Sequence, residues 1–280
     1  MEFRAVRQKL DSISTRTFPG PLKSVGFSKV ARNFKLTVAY DGHDFAGWQI
    51  QPDRPTIQGT LVSAIAQLTG ENTLPQGSGR TDAGVHALAQ IASVCLESPI
   101  PAANLRTALN DILPSTIRIL DAQEAAPDFH ARRSAKAKTY RYHIYRGEIC
   151  PPFRSRYVYH YPYPLDAQRM IAVAGAVKGT HDFTSFAAVD PEVKKEGIEV
   201  DNVRTIFSSE WQSGGEELTY TVRGNGFLHH MVRNLVGTFL MIGKGTLSAD
   251  DLARILAQRN RSAAAATAPA SGLFLVSVEY

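Results

Sequence analysis

Phe34-Lys35-Leu36-Thr37-Val38-Ala39-Tyr40 reads as a β-strand: apolar positions alternate, β-branched residues recur, and Asp41-Gly42 closes the run. The elements beyond this strand decide the fold class. Ile57, Leu61, Ile65 and Leu68 recur at spacings of four, four and three, which predicts a helix over 56–68 stopped by Gly70. Ala87–Cys95 reads as a strand, Asn104–Leu113 as a short helix ended by Pro114, and Ile117–Ala122 as another strand. Thr139–Tyr145 alternates again, with Tyr140, Tyr142 and Ile144 on one side and Arg141 and His143 on the other. Beyond it come a helix over 165–177, an irregular acidic loop over 187–201, strands over 203–211 and 217–223, and a helix over 228–242. Asp250 and Asp251 open a further helix, where their charge suits the helix dipole, and Leu273–Val278 is a last strand. Strands and helices mix without strict βαβ alternation, so the class is α+β with a mainly antiparallel sheet. The seam between two halves falls near 125–138.

The 280 residues suffice for one large domain or two ordinary ones, and 44% apolar with 20% charged residues is globular composition. The net charge of +5 is unevenly spread: residues 1–40 and 127–160 each carry +6, leaving the rest acidic. Two basic islands on an acidic background point to contact with a polyanion, although basicity also serves solubility. No run of 18 apolar residues occurs, and the opening MEFRAVRQKL lacks an apolar stretch, so neither a membrane span nor a secretory signal is expected. Cys95 and Cys150 form no CxxC, which fits a reduced, cytoplasmic protein. Residues 1–33, broken by Phe18-Pro19-Gly20-Pro21, read as a basic N-terminal extension expected to be mobile.

Chemistry concentrates in Gly79-Arg80-Thr81-Asp82-Ala83-Gly84-Val85-His86. Flanking glycines allow a sharp turn and the close approach of a large ligand. Arg80 and Asp82 are two apart, so in an extended segment they share a face. A carboxylate beside a cation stays ionised at neutral pH and serves as nucleophile or base. By pattern alone, an Asx turn in which Asp82 caps its own backbone is the commoner reading. Metal chemistry finds little support: there is no HExxH or paired Cys/His spacing, and His229-His230, adjacent on a predicted helix, should face apart. The glycines match neither a P-loop nor GxGxxG, and no GxSxG is present. The expected chemistry therefore needs no metal, nucleotide or redox cofactor. Tyr140 and Tyr142 suit either stacking on a nucleobase or a half-buried strand. Phe129-His130-Ala131-Arg132-Arg133 places an aromatic among basic residues in a loop, and Arg233 within an apolar helix calls for a buried partner unless it snorkels.

Gly79–Ala87 resembles the signature of the TruA-type tRNA pseudouridine synthases. The resemblance extends in order through Tyr40-Asp41-Gly42, Gly47–Gln51, Leu109-Asn110 with Leu113-Pro114, Asp128–Arg132 and Lys138–Tyr142. It continues through Asp182–Phe186, Asn202–Ile206, His230–Gly237, Ala266–Ala270 and Gly272-Leu273, covering about Phe34 to Tyr280. It implies two α+β halves, 34–130 and 131–280, around a shared sheet with a cleft between them. It also implies a cofactor-free homodimer that isomerises uridine to pseudouridine in the tRNA anticodon arm, typically at positions 38, 39 and 40.

By the same resemblance Asp82 is the essential aspartate, Tyr140 packs on the target base, and Arg233 pairs with Asp82. Leu273 walls the pocket, while Arg80, Gln90, Phe129, His130, Arg132 and Arg133 contact RNA. Arg133 departs from the family, which commonly has an aromatic there, so a polar contact is expected instead. Two roles are open to Asp82: a nucleophile at C1′ or C6, or a base at C2′ leading to a glycal. An RNA-binding protein without catalysis and a glycosylase that stops after N1–C1′ cleavage are the rival readings.

Overall fold

The computed structural model describes residues 31–188 and 201–280. Nearly all of the 1–33 extension, and with it the expected mobility, lies outside the described residues, as does most of the acidic loop 187–201.

Ala31–Tyr280 forms one compact unit built on a mixed α+β plan. Its strands are β1 (Arg32–Tyr40), β2 (Gln76–Gly77), β3 (His86–Leu96), β4 (Ile117–Ala125) and β5 (Ala137–Tyr145). They continue with β6 (Tyr159–His160), β7 (Gly179–Asp182), β8 (Val203–Gly214), β9 (Glu217–Gly224) and β10 (Leu273–Glu279). All belong to one sheet in the order β4-β1-β3-β10-β5-β9-β8-β7, with β2 added to β3 and β6 to β5. Pairing is antiparallel except for β10 on β3 and β6 on β5. The expected seam is therefore spanned by a continuous sheet. β10 aligns Phe274 with His86 on β3 and Leu273 with Tyr142 on β5, so Leu273 lies beside the end of the Gly79–Val85 loop.

The alternation that predicted β1 is its packing: Phe34, Leu36, Val38 and Tyr40 are all buried. Each such side chain contributes roughly 1.5–3 kcal/mol when fully removed from water. Helix α1 (Ile57–Thr69) starts at Thr56, whose side chain accepts from the Gly59 N–H, and stops at Gly70 in the left-handed conformation. Helix α2 (Ala102–Ile112) ends just ahead of Pro114.

Helix α3 (Ala167–Val173) is shorter than the 165–177 expected: Asp166 caps it, and Ala174–Val177 finish as a 3₁₀ turn. Helix α4 (Met231–Gly243) begins three residues later than expected because His230 is left-handed, at φ 59°. Helix α5 (Ala249–Gln258) opens with a capping box between Ser248 and Asp251, so Asp251 does more than complement the dipole. Among the described residues, no helix is long and apolar enough to cross a membrane. Cys95 and Cys150 are free thiols.

Candidate active site

The Gly79–Val85 loop is fixed by the segment after β1. Trp48 N–H donates to Thr81 O at 3.0 Å, and the Tyr40 hydroxyl meets Thr81 Oγ1 at 2.8 Å. Burial pushes the Tyr40 phenol up to about 12, so it stays neutral in this contact. Gly84 takes φ +79°, a conformation costly for any residue with a Cβ, and its N–H reaches Phe45 O at 3.3 Å. Val85 N–H donates to the Asp82 backbone carbonyl at 3.1 Å. The loop is thus tied through backbone atoms, and the Asp82 side chain is left to other partners. The Asx-turn reading is replaced by a longer-range contact.

That contact comes from α4. Arg233 Nη1 donates to Asp82 Oδ2 at 2.7 Å, across 151 residues of sequence, and its Nε donates to Ala268 O at 2.7 Å. Both side chains are mostly covered, at 14% and 18% exposure, so the pair is charge-assisted and shielded from salt. The guanidinium is braced from behind by the 266–268 segment. This segment can approach because Gly237 has no side chain: a Cβ there would lie 2.0 Å from Ala266 O.

His229 and His230 correct the expectation that they face apart. Because the helix starts only at Met231, both rings turn toward Asp82, with Nε2 atoms 3.6 and 3.4 Å from its carboxylate oxygens. Burial, more than the opposing pull of Asp82, lowers the His230 pKa, with His229, Arg233 and Arg261 adding to the drop. His230 is therefore uncharged at neutral pH. Asp82, His229 and His230 offer ligand atoms within 4.8 Å of one another, a cluster that could hold a cation. However, Arg233 already sits on Oδ2, and the surrounding cations disfavour a divalent ion there.

These groups open onto a cavity of about 740 Å³. Arg80, Asp82, Arg132, Tyr140 and Leu273 all line it, so most of the residues picked from the sequence converge. Tyr140 stands in the wall with its ring edge-on to Phe227 at 4.9 Å. Burial, then the nearby Tyr40 and Asp82, pushes its phenol well above the ordinary tyrosine range. Tyr142 is different: it is fully buried and donates to Pro269 O at 2.8 Å, which removes it as a stacking surface.

Several expected RNA contacts have other places in the fold. Gln90 is fully buried; it accepts from Ser78 Oγ at 2.6 Å and donates to Gly79 O at 2.9 Å. It steadies the start of the Asp82 loop and presents no surface to a polynucleotide. Phe129 packs on Tyr280 at 4.9 Å, and His130 Nδ1 accepts the backbone N–H groups of Arg132 and Arg133 at 3.1 and 3.4 Å. Arg133 is exposed outside the cavity, while Arg132 lines it. His86 also turns away from the cavity: its ring contacts Gly42 N, Arg156 O and Phe274, joining loops behind the site.

The sequence reading missed Lys138, Arg204 and His229-His230 as cavity groups. Lys138 had a usable signal, since it lies two residues before Tyr140 on the same strand and therefore shares its face. Its ammonium donates to Ser78 O at 2.6 Å. Burial pushes its pKa down to about 8, helped by Arg132 and Arg204.

An acid and an aromatic ring at the floor of a basic cavity suit a ring carried on a polyanion. Comparison with known proteins agrees. The family model described as tRNA pseudouridine synthase matches residues 36–132 and 173–280. A tRNA pseudouridine synthase A of Solibacter usitatus (strain Ellin6076) is 51% identical over 249 residues, covering 89% of this chain and all of that one. The corresponding protein of Latilactobacillus sakei subsp. sakei (strain 23K) is 44% identical, over 90% of this chain and all of that one. A solved archaeal box H/ACA sRNP Nop10–Cbf5 complex matches at 12% identity and TM-score 0.30, over 74% of this chain and 44% of that one. The chain belongs to the tRNA pseudouridine synthase family. It is an isomerase acting on uridine in tRNA.

Proposed function

We propose that the protein converts uridine to pseudouridine in the anticodon arm of tRNA, at positions 38, 39 and 40, with Asp82 as its reactive group. The observation that carries this reading is the Arg233–Asp82 pair at 2.7 Å, in a cavity shared with Tyr140 and Leu273. The reaction breaks N1–C1′, turns the uracil and joins C5 to C1′. Reactant and product are isomers, so no redox equivalent or co-substrate is consumed.

A uridine must first leave its stack, at a cost of a few kcal/mol. Contacts from the basic lining to phosphates offset that cost. Tyr140, held by Phe227, is assigned to pack on the swung-out base, with Leu273 lining the same cavity. Arg233 holds Oδ2 of Asp82, and Oδ1, with His229 Nε2 3.6 Å away, is assigned to attack at C1′ or C6, or to proton removal at C2′. In each course the C5 proton leaves once C5–C1′ is made, and N1 gains one. Arg80 and Arg132, at the cavity lining, are assigned to gripping RNA while the base is out of its stack.

The active form is assigned as a cytoplasmic homodimer. The free thiols of Cys95 and Cys150 suit a reducing compartment, and exposed Ile149, Phe153 and Tyr163 supply apolar surface for self-association. Mapping pseudouridines in tRNA from a strain lacking this protein tests the assignment. Loss at positions 38, 39 and 40 is expected, and loss confined to another arm would overturn the anticodon-arm reading.

A further inference from the structure

The cavity lining is electrically lopsided. Among the described residues, Arg80, Arg132, Lys138, Arg204 and Arg261 line it against the one carboxylate of Asp82. That carboxylate is already matched by Arg233. Arg261 is used internally, donating to Ala264 O, Ala265 O, Asn234 Oδ1 and Thr267 Oγ1. Arg132, Lys138 and Arg204 remain: Arg132 and Arg204 disfavour the charge on Lys138, and Arg132 that on Arg204, where the nearby Asp201 opposes it.

Lys138 comes from β5, is half-buried, and reaches the residues that lead into the Asp82 loop. One of its three N–H groups is used by Ser78 O at 2.6 Å, and a Cβ at Gly79 would lie 3.0 Å from its Nζ. Arg204 comes from β8, is braced by Asp201 O and Val203 O, and lies against Gly226. Grouping like charges around a half-buried lysine is costly unless an anion completes the set. Lys138 and Arg204 are held by carbonyl oxygens, and among the described residues Asp201 is the carboxylate that acts on Arg204.

We propose that Arg132, Lys138 and Arg204 form a phosphodiester subsite that holds the RNA backbone next to the target uridine. The assignment rests on reading the cavity as the place where tRNA uridine reacts. Lys138 makes the subsite sensitive to pH. A bound phosphate favours the charged ammonium, so affinity is full below about pH 8 and falls as pH rises through that value. Arg132 and Arg204 act on Lys138 directly, Asp201 acts on Arg204, and Asp82, Arg80, His229 and His230 lie around the same cavity. On its own strand the next inward group is Tyr140, and on the flanking strands Arg223 and Glu279 pair with each other.

Affinity for tRNA, measured at pH 7 and pH 9 with wild type, Lys138→Met and Lys138→Arg, tests the subsite. The tRNA carries either natural linkages or single neutral methylphosphonates on each side of the target uridine. Lys138→Met is expected to bind about tenfold more weakly at pH 7. The slope of log K against log salt should fall by roughly 0.7–0.9. One neutral linkage should weaken wild type by a similar factor and Lys138→Met no further. Lys138→Arg should lack the weakening that wild type shows between pH 7 and pH 9.

If neutral linkages weaken wild type and Lys138→Met equally, or Lys138→Arg follows the wild-type pH profile, the subsite is overturned. Should Lys138→Met fail to fold, wild type alone decides. Its neutral-linkage penalty must shrink between pH 7 and pH 9, and a constant penalty contradicts the proposal. Pseudouridine formation by the same wild-type samples separates the two levels. Turnover with an affinity indifferent to Lys138 removes only the subsite, whereas tight phosphate-dependent binding without turnover removes the reading of this cavity as the place where the anticodon-arm uridine reacts.

Discussion

Two walls of one cavity are built on opposite electrostatic terms. On the Asp82 wall, Arg233 answers the carboxylate at 2.7 Å and is itself braced by Ala268 O, so charge and donors are matched within the protein. On the Lys138 wall, Arg132, Lys138 and Arg204 repel one another, and Lys138 and Arg204 are braced by carbonyl oxygens, with the Asp201 carboxylate acting on Arg204 alone of the pair. A matched wall keeps its geometry whether or not substrate is present, which is what a reacting group needs. An unmatched wall gains most when the substrate arrives, which is what a gripping surface needs. The difference assigns chemistry to one side and affinity to the other, and it can be broken from either.

The largest effect is expected from Arg233→Leu, which removes the match while keeping an apolar side chain in α4. Turnover should fall about a hundredfold or more, with little change in tRNA affinity. Single-turnover rates beside binding isotherms would read this, and an equal loss of both would place Arg233 with the gripping wall. A smaller effect is expected from Gly237→Ala, which forces a Cβ onto Ala266 O without touching either wall. Overpacking of this kind costs about 1–3 kcal/mol, so a thermal melt should drop by several degrees. Turnover should fall too, because Ala268 O braces Arg233. An unchanged melt would show that the 266–268 segment yields freely. The smallest effect is expected from removing residues 1–30, a basic stretch of the sequence. The salt dependence of tRNA binding should weaken while turnover at saturation persists, and an unchanged salt slope would leave binding to the cavity walls alone.

Local periods make much of the fold legible. β1, α1 and β5 can be read from alternation or 3.6-residue spacing, because those patterns are the faces they bury. The loop bearing Asp82 is legible as dense polar chemistry between glycines. The illegible features depend on distant chain segments. The parallel pairing of β10 with β3, which brings the last strand beside the Asp82 loop, leaves no mark in either strand's own period. His230 takes a left-handed conformation that a residue with a side chain seldom adopts, and in the fold both histidines of the pair meet Asp82. The resemblance gives Gln90 an RNA contact, whereas in the fold Ser78 and Gly79 occupy its amide. The resemblance gives Arg233 its partner, and the fold supplies the brace behind it.

Tritium release from tRNA labelled at uridine C5, followed with wild type and Asp82→Ala under conditions where both bind, tests the central claim most directly. Wild type should release label as each C5–C1′ bond forms, and Asp82→Ala should bind tRNA yet release none above background. Release by Asp82→Ala at near the wild-type rate would contradict the assignment of the chemistry to that carboxylate.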